Sequence, residues 1–199
     1  MTGKPFSQAC ENNKHAILEQ LQEVFVTPGT VLEVGTGTGQ HAVCFAAALP
    51  HLVWQPSDQP GNERLCLPWL DEYAGGNILP PVALNVADEP WPVEGIDGAY
   101  SANTAHIMAW PEVERMFAGL GERLPAGAAF CLYGPFNYDG RFTSESNARF
   151  DQHLKNQAPH MGIRDMADMK RLAGSTGFVL EADHGLPANN RLLVWRRNG

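Results

Sequence analysis

The stretch VLEVGTGTGQ, Val31 to Gln40, sets an apolar run containing an acid, Glu33, before glycines at alternate positions, Gly35, Gly37 and Gly39. An apolar run, a glycine-rich turn and then the small-residue segment QHAVCFAAAL read as a buried strand, a tight turn and a helix. A dinucleotide loop would require a further glycine where Gln40 stands, and a Walker loop would require a Gly-Lys-Ser/Thr that does not follow. One glycine would serve an ordinary strand-to-helix turn. Alternate glycines after an acid point instead to backbone lying close against a ligand.

Outward from this stretch, strands alternate with helices. ENNKHAILEQLQEVF places Ile17, Leu21, Val24 and Phe25 at helical spacing before the first strand, with Asn12, Asn13 and Lys14 lying just before that helix. Downstream, LVWQPSD reads as a strand ending at Asp58, NERLCLPWLDEY as a helix with a kink at Pro68, and PPVALNV and GIDGAYSAN as further strands. WPEVERMFAGLGERL has Pro111 in its first turn and Val113, Met116, Phe117, Leu120 and Leu124 on one face, so it reads as an amphipathic helix before the strand GAAFCLYGPF. The segment NYDGRFTSESNARFDQHLKN, about 137–156, is polar with a thin apolar stripe at Phe150 and Leu154, and reads as a lid-like insertion. A last helix, DMADMKRLAG, precedes the strands FVLEADHG and RLLVWRR, joined by the turn residues LPANN. The expected architecture is one α/β domain over residues 1–199, a seven-stranded and mostly parallel sheet with helices on both faces.

Composition limits the partners. With 199 residues, 44% hydrophobic, the chain suits one globular domain with a sizeable core. A formal net charge of −8 argues against a nucleic-acid partner, because phosphate binding draws on Lys and Arg. No run approaches the roughly 18 to 20 apolar residues of a membrane helix, and the start lacks a secretory signal, so no membrane association and a cytoplasmic location are expected. Cys10, Cys44, Cys66 and Cys131 show no zinc or disulfide spacing; they read as buried reduced thiols, and no metal site is expected.

The motif Glu-x-Gly-x-Gly-x-Gly, with Asp58 ending the second strand, LNVAD after the third and YSANTAHIM at the fourth, resembles class I S-adenosylmethionine-dependent methyltransferases. ENNKHAIL, SANTAHIM, FTSESNARFD and PANNRLLVW extend the likeness to a small, largely uncharacterised methyltransferase-like family of bacteria and animals. The resemblance implies a Rossmann-like fold and S-adenosyl-L-methionine as cofactor. It implies that Glu33, Gly35, Thr36, Gly37 and Gly39 lie against the cofactor, that Asp58 accepts its ribose hydroxyls, and that Asn85 and Val86 meet the adenine. Ser101 and Asn103 would face its sulfonium end, and Asn13 and Lys14 would lie near its carboxylate, with His41 at its edge. Lys14 is equally readable as a solvated helix start, and His41 as a residue that caps or packs its own helix.

His106, just after the fourth strand, is placed to take a proton from an acceptor, or else is a hydrogen-bonded structural histidine. Tyr133 is a second candidate for catalysis and substrate contact. Arg141 and Arg149 would suit an anionic small molecule if they face a cleft, and are otherwise a solvated helix face. The tetrapeptide YGPF lacks the Asn or Asp that begins the motif of DNA amino-methyltransferases, and so does not support action on DNA. The expected function is methyl transfer to a small-molecule O, S or N nucleophile. The alternatives are an S-adenosylmethionine-binding sensor without catalysis and a nicotinamide-dependent oxidoreductase. The sequence is compatible with a monomer and with a homodimer.

Overall fold

The computed structural model describes residues 3–199. Its main sheet has seven strands: β1 (Gly29–Val34), β2 (Leu52–Asp58), β3 (Val82–Ala83), β4 (Gly98–Ala102), β5 (Ala129–Gly134), β8 (Phe178–Leu186) and β9 (Asn190–Arg197). They lie in the order β3-β2-β1-β4-β5-β9-β8. β1 is parallel to both β2 and β4, and β2 to β3, while β9 runs antiparallel to β5 and β8. A small parallel ladder joins β6 (Phe136–Asn137) to β7 (Arg164–Asp165). The helices are α1 (Gln8–Val24), α2 (Gln40–Ala48), α3 (Leu67–Leu70), α4 (Trp110–Arg123), α5 (Glu145–Gln157) and α6 (Met166–Ser175). The chain divides into two compact units, residues 1–101 and 102–199.

In the first unit, α1 starts at Gln8, earlier than its apolar spacing implies, because Ser7 caps it: the Ser7 Oγ accepts from Cys10 N at 3.3 Å. Asn12, Asn13 and Lys14 therefore sit inside the helix and not before it. α1 buries Ile17 and Leu21, and α2 buries Ala42, Phe45 and Ala46. The core is aromatic: the Phe45 ring packs edge-on against Trp54 at 5.6 Å and Tyr100 at 5.3 Å. Each such pair adds about 0.5–1.5 kcal/mol beyond its buried area. The expected helix over 62–73 is instead a 3-10 turn, Glu63–Cys66, followed by the short α3 with Pro68 in its first turn. The strand expected over 80–86 keeps only Val82–Ala83, because Asn85 then turns the chain by accepting at its Oδ1 from Ala87 N, 3.1 Å away.

In the second unit, α4 matches its expected span. The Glu112 carboxylate accepts from Ala109 N at 2.6 Å, and Val113, Met116, Phe117 and Leu120 are buried. Phe117 meets Phe130, Phe178 and Trp195 with ring centroids 5.2, 5.9 and 5.7 Å away. The β8–β9 hairpin turns through Ala188 and Asn189, both at positive φ. All four cysteines are free thiols; Cys66 and Cys131 are buried, whereas Cys10 and Cys44, expected to be buried, are half-buried. No helix among the described residues is long and apolar enough to cross a membrane.

Candidate functional site

In the first unit, the turn from β1 to α2 is knitted to the end of β2. Ser57 O accepts from both Gly35 N and Thr36 N at 2.9 Å, and Ser57 Oγ donates to Glu33 O at 2.7 Å. Gly35, Gly37 and Gly39 all take positive φ: 80°, 54° and 84°. Their surroundings differ. A Cβ on Gly37 would meet nothing within 4 Å, so this residue borders open space, while a Cβ on Gly39 would stand 2.7 Å from the Cys66 Cβ and 2.9 Å from Leu70. Gly39, read from the sequence as a ligand glycine, is therefore needed for α2 to approach α3.

Asp58 holds this turn from the side. Its Oδ2 accepts from Gly37 N at 2.8 Å and its Oδ1 from Gln59 N at 2.8 Å. A carboxylate has about four acceptor positions, so lone pairs remain for a diol. Glu33 is 1% exposed, and its Oε2 accepts from Thr36 Oγ1 at 2.9 Å and Trp54 Nε1 at 2.8 Å. Burial pushes its carboxyl up to about 7, against the two donors that favour its charged form, and the nearby Asp58 charge adds to the rise.

α1 is fastened over the same turn. Gln40 Oε1 accepts from Ser7 N at 2.5 Å and Thr38 Oγ1 at 3.0 Å, and its Nε2 donates to Glu11 at 3.3 Å. Asn13 is buried and bonded to His41 Nε2, whose ring also meets Tyr100. Lys14 Nζ is engaged by Glu11 at 2.6 Å. Asn85 donates from Nδ2 to Asp88 at 3.1 Å, and Val86 is buried, its carbonyl accepting from Trp91 Nε1 at 3.3 Å. Ser101 is fully buried, with its Oγ donating to Val34 O at 2.7 Å, which ties β4 to β1. The structural roles of Gln40 and Tyr100 escaped the sequence reading. The one available signal was a polar residue opening an otherwise small-residue helix.

In the second unit, Asn103 follows β4 at φ 58°, its N–H donating to Tyr133 O at 2.9 Å. Tyr133 is 3% exposed. His106, 4% exposed, rides on a turn in which Thr104 O accepts from Ile107 N and Met108 N, both at 2.9 Å. Gly162 N donates to His106 O at 2.9 Å. The Arg164 guanidinium clamps the turn, donating from Nε to Ala105 O at 2.8 Å and from Nη2 to Met108 O and His160 O. The Phe150 ring packs edge-on to the imidazole at 5.3 Å. Burial, and secondarily the Arg164 charge, pull His106 down to about 4, so the ring is neutral at neutral pH. Its nitrogens make no hydrogen bond to protein among the described residues.

Arg141 is exposed, and the Arg149 side chain is 75% exposed, 3.8 Å from Glu145 on the next turn of α5. Both stand in solvent. The segment carrying them has more anchors than its apolar stripe suggested. Tyr138 OH donates to Asp183 at 2.6 Å, Asn147 Nδ2 to Asn189 O at 3.2 Å, Asp151 Oδ1 accepts from Ile163 N at 2.8 Å, and Leu154 is buried.

Residues 4–197 match the model of a family described as "Protein of unknown function (DUF938)". Among solved structures, the chain is similar to the S-adenosylmethionine-dependent methyltransferase SibL, at 20% identity and a TM-score of 0.80. An O-methyltransferase family protein from Burkholderia thailandensis matches at 16% and 0.82, and human N-acetylserotonin methyltransferase, in complex with SAM, at 14% and 0.80. Each match covers 96% of this chain but only 56%, 58% and 53% of the respective neighbour. The chain thus spans little more than half the length of these proteins. Its fold is that of the class I methyltransferases.

Proposed function

We propose that this chain, which belongs to the DUF938 family, binds S-adenosyl-L-methionine in its first unit and transfers the methyl group to a small-molecule O, S or N nucleophile. The observation that carries this is the pairing of Asp58 with Gly37: a carboxylate with spare acceptor positions beside a glycine that borders open space. Glu33, Gly35, Thr36, Gly37 and Asp58 would form the floor of the cofactor site, with Asn85 and Val86 toward its base and Asn13 toward its amino-acid end. The residues present fit such a ligand, since a Cβ at Gly37 would occupy the open space.

When bound, the cofactor supplies a methyl group activated by its sulfonium charge. The protein's share is alignment, exclusion of water and, for a neutral acceptor, removal of a proton. His106 is the proposed base, because it is neutral at neutral pH and its nitrogens make no hydrogen bond to protein among the described residues. The polar segment 137–156 is proposed as its cover, since α5 lays Phe150 on the imidazole. The exposure of Arg141 and Arg149 gives no support to an anionic acceptor.

Calorimetric titration with S-adenosylmethionine, S-adenosylhomocysteine and NADH tests the cofactor. Micromolar binding of both sulfur ligands, on the order of −8 kcal/mol, is expected, and binding of NADH alone would refute the reading. Release of S-adenosylhomocysteine in the presence of a panel of small acceptors separates an enzyme from a sensor.

A further inference from the structure

Asn13, His41 and Tyr100 form one buried chain. Asn13 Oδ1 lies 2.7 Å from His41 Nε2, and His41 Nδ1 lies 3.2 Å from the Tyr100 hydroxyl. An amide oxygen only accepts, so Nε2 carries the proton and Nδ1 accepts from Tyr100. The ring is held in place as well as polarised. It is 3% exposed, stacked on Phe45 at 5.0 Å and met edge-on by Tyr100 at 5.9 Å. Burial holds it neutral, with a single proton to place.

This arrangement fixes which way the Asn13 amide faces. With Oδ1 committed to His41, the Nδ2 group points away from the ring, and it has no partner among the described residues although Asn13 is only 7% exposed. The Nδ2 group is not among the enclosed polar atoms that lack a partner, so it keeps solvent contact through the small exposed part of Asn13, and an acceptor on a ligand can reach it. The ends of α1 and α2 are fastened together here by Ser7 and Glu11 on Gln40, at the close of the turn whose Gly37 borders open space. Asp58 ends β2 and Tyr100 lies on β4, and β1 pairs with both. The ribose acid and the Asn13 chain therefore belong to opposite neighbours of the strand that carries the glycines. A ligand with a diol at one end and a carboxylate at the other suits that separation.

We propose that His41 and Tyr100 are positioning residues that orient the Asn13 amide so that its Nδ2 donates to the carboxylate of the cofactor's amino-acid part. The inference rests on the reading of S-adenosylmethionine binding above, and deepens it by assigning the carboxylate to Asn13 and not to Lys14, whose ammonium is engaged by Glu11.

The test compares two ligands that differ in the amino-acid group: S-adenosylhomocysteine, which has it, and methylthioadenosine, which lacks it. Asn13→Asp keeps an acceptor for His41 and replaces the donor with a negative oxygen. It should weaken S-adenosylhomocysteine at least about thirtyfold and methylthioadenosine less than about threefold. Tyr100→Phe should weaken only the first ligand, by about three- to tenfold, and nitrogen NMR of His41 should change from a single Nε2–H tautomer to a mixture. Equal losses for both ligands would mean a merely structural chain and overturn the proposal, as would unchanged S-adenosylhomocysteine affinity in Asn13→Asp. If the unaltered protein binds neither ligand, the cofactor reading itself falls, and this inference with it.

Discussion

Asp58 Oδ2 accepts a hydrogen bond from Gly37 N at 2.8 Å, so the acid that ends β2 holds the middle of the glycine turn that leaves β1. The same carboxylate that would receive a ribose diol thus also shapes the floor on which the ribose would lie. The two tasks separate by substitution.

Asp58→Asn keeps one oxygen for Gly37 N, loses the charge and gives up the second oxygen that accepts from Gln59 N. Hydrogen bonds to charged groups are worth about 1.5–3 kcal/mol, so affinity for S-adenosylmethionine should fall roughly ten- to hundredfold, with a smaller loss of thermal stability than in Asp58→Ala. Asp58→Ala should lose both affinity and stability, because Gly37 N then lacks its acceptor. Equal affinity for Asp58→Asn and the unaltered protein in a calorimetric titration would leave Asp58 as a turn residue only.

The glycines should respond differently from one another. At Gly37, alanine meets open space but takes φ 54°, a strain of about 1–2 kcal/mol, and its methyl enters the proposed ligand space. Cofactor affinity should fall more than stability does. At Gly39 the added Cβ would stand 2.7 Å from that of Cys66, so Gly39→Ala should lower the melting temperature clearly more than Gly37→Ala. The reverse order of melting temperatures would contradict the assignment.

That contrast marks where the sequence was legible. Strand, glycine turn and α2 follow from an apolar run and breakers close together in the chain, and α4 from its apolar period and Pro111. Which glycine serves a ligand and which serves packing depends on Cys66 and Leu70, far along the chain, and alternate spacing carries no trace of that. The anchors of α5 were hidden for the same reason, since Asp151 on Ile163 N and Tyr138 on Asp183 are polar pairs that leave no periodic pattern. The segment therefore looked loosely held. Asn13 lies inside α1 and not before it because the cap at Ser7 precedes the first apolar position, which periodicity does not reveal.

Glu33 gives a stability signature in pH. Its carboxyl rises from the ordinary 4.5 to about 7 on folding, chiefly through burial. A raised folded-state pKa means that the contribution to stability is fully present below 4.5 and is lost as pH rises to about 7. Glu33→Gln keeps an acceptor for Trp54 and Thr36 and does not titrate. Its stability relative to the unaltered protein should therefore improve between pH 4.5 and 7.5, by on the order of 3 kcal/mol. His41 and His106, both pulled down to about 4, act in the opposite sense: their contribution is present above 6.5 and lost as pH falls toward 4. That loss is common to both proteins and cancels in the difference. Denaturant unfolding at several pH values reads the result, and a flat difference would mean that Glu33 keeps one ionisation state through folding.

His106 depends on Arg164 in two ways, and they make a joint prediction. The guanidinium holds the turn through Ala105 O and Met108 O, and its charge disfavours a proton on the imidazole. Asp151 offsets part of that charge, since it favours the charged form of Arg164, and Phe150 contributes only an apolar edge. Arg164→Gln removes the cation, so the His106 pKa should rise from about 4 toward 6.5, a change visible in a carbon-13 titration of its Cε1. Because burial is the larger cause of the depression, the rise should be partial, and Arg164→Lys should leave the pKa low while loosening the turn, since a single ammonium reaches fewer carbonyls. If Arg164→Gln and Arg164→Lys shift the pKa equally, the effect comes from exposure of the turn and not from charge. If neither shifts it, burial alone keeps His106 neutral, and Arg164 acts as a clamp without an electrostatic part in the proposed proton transfer.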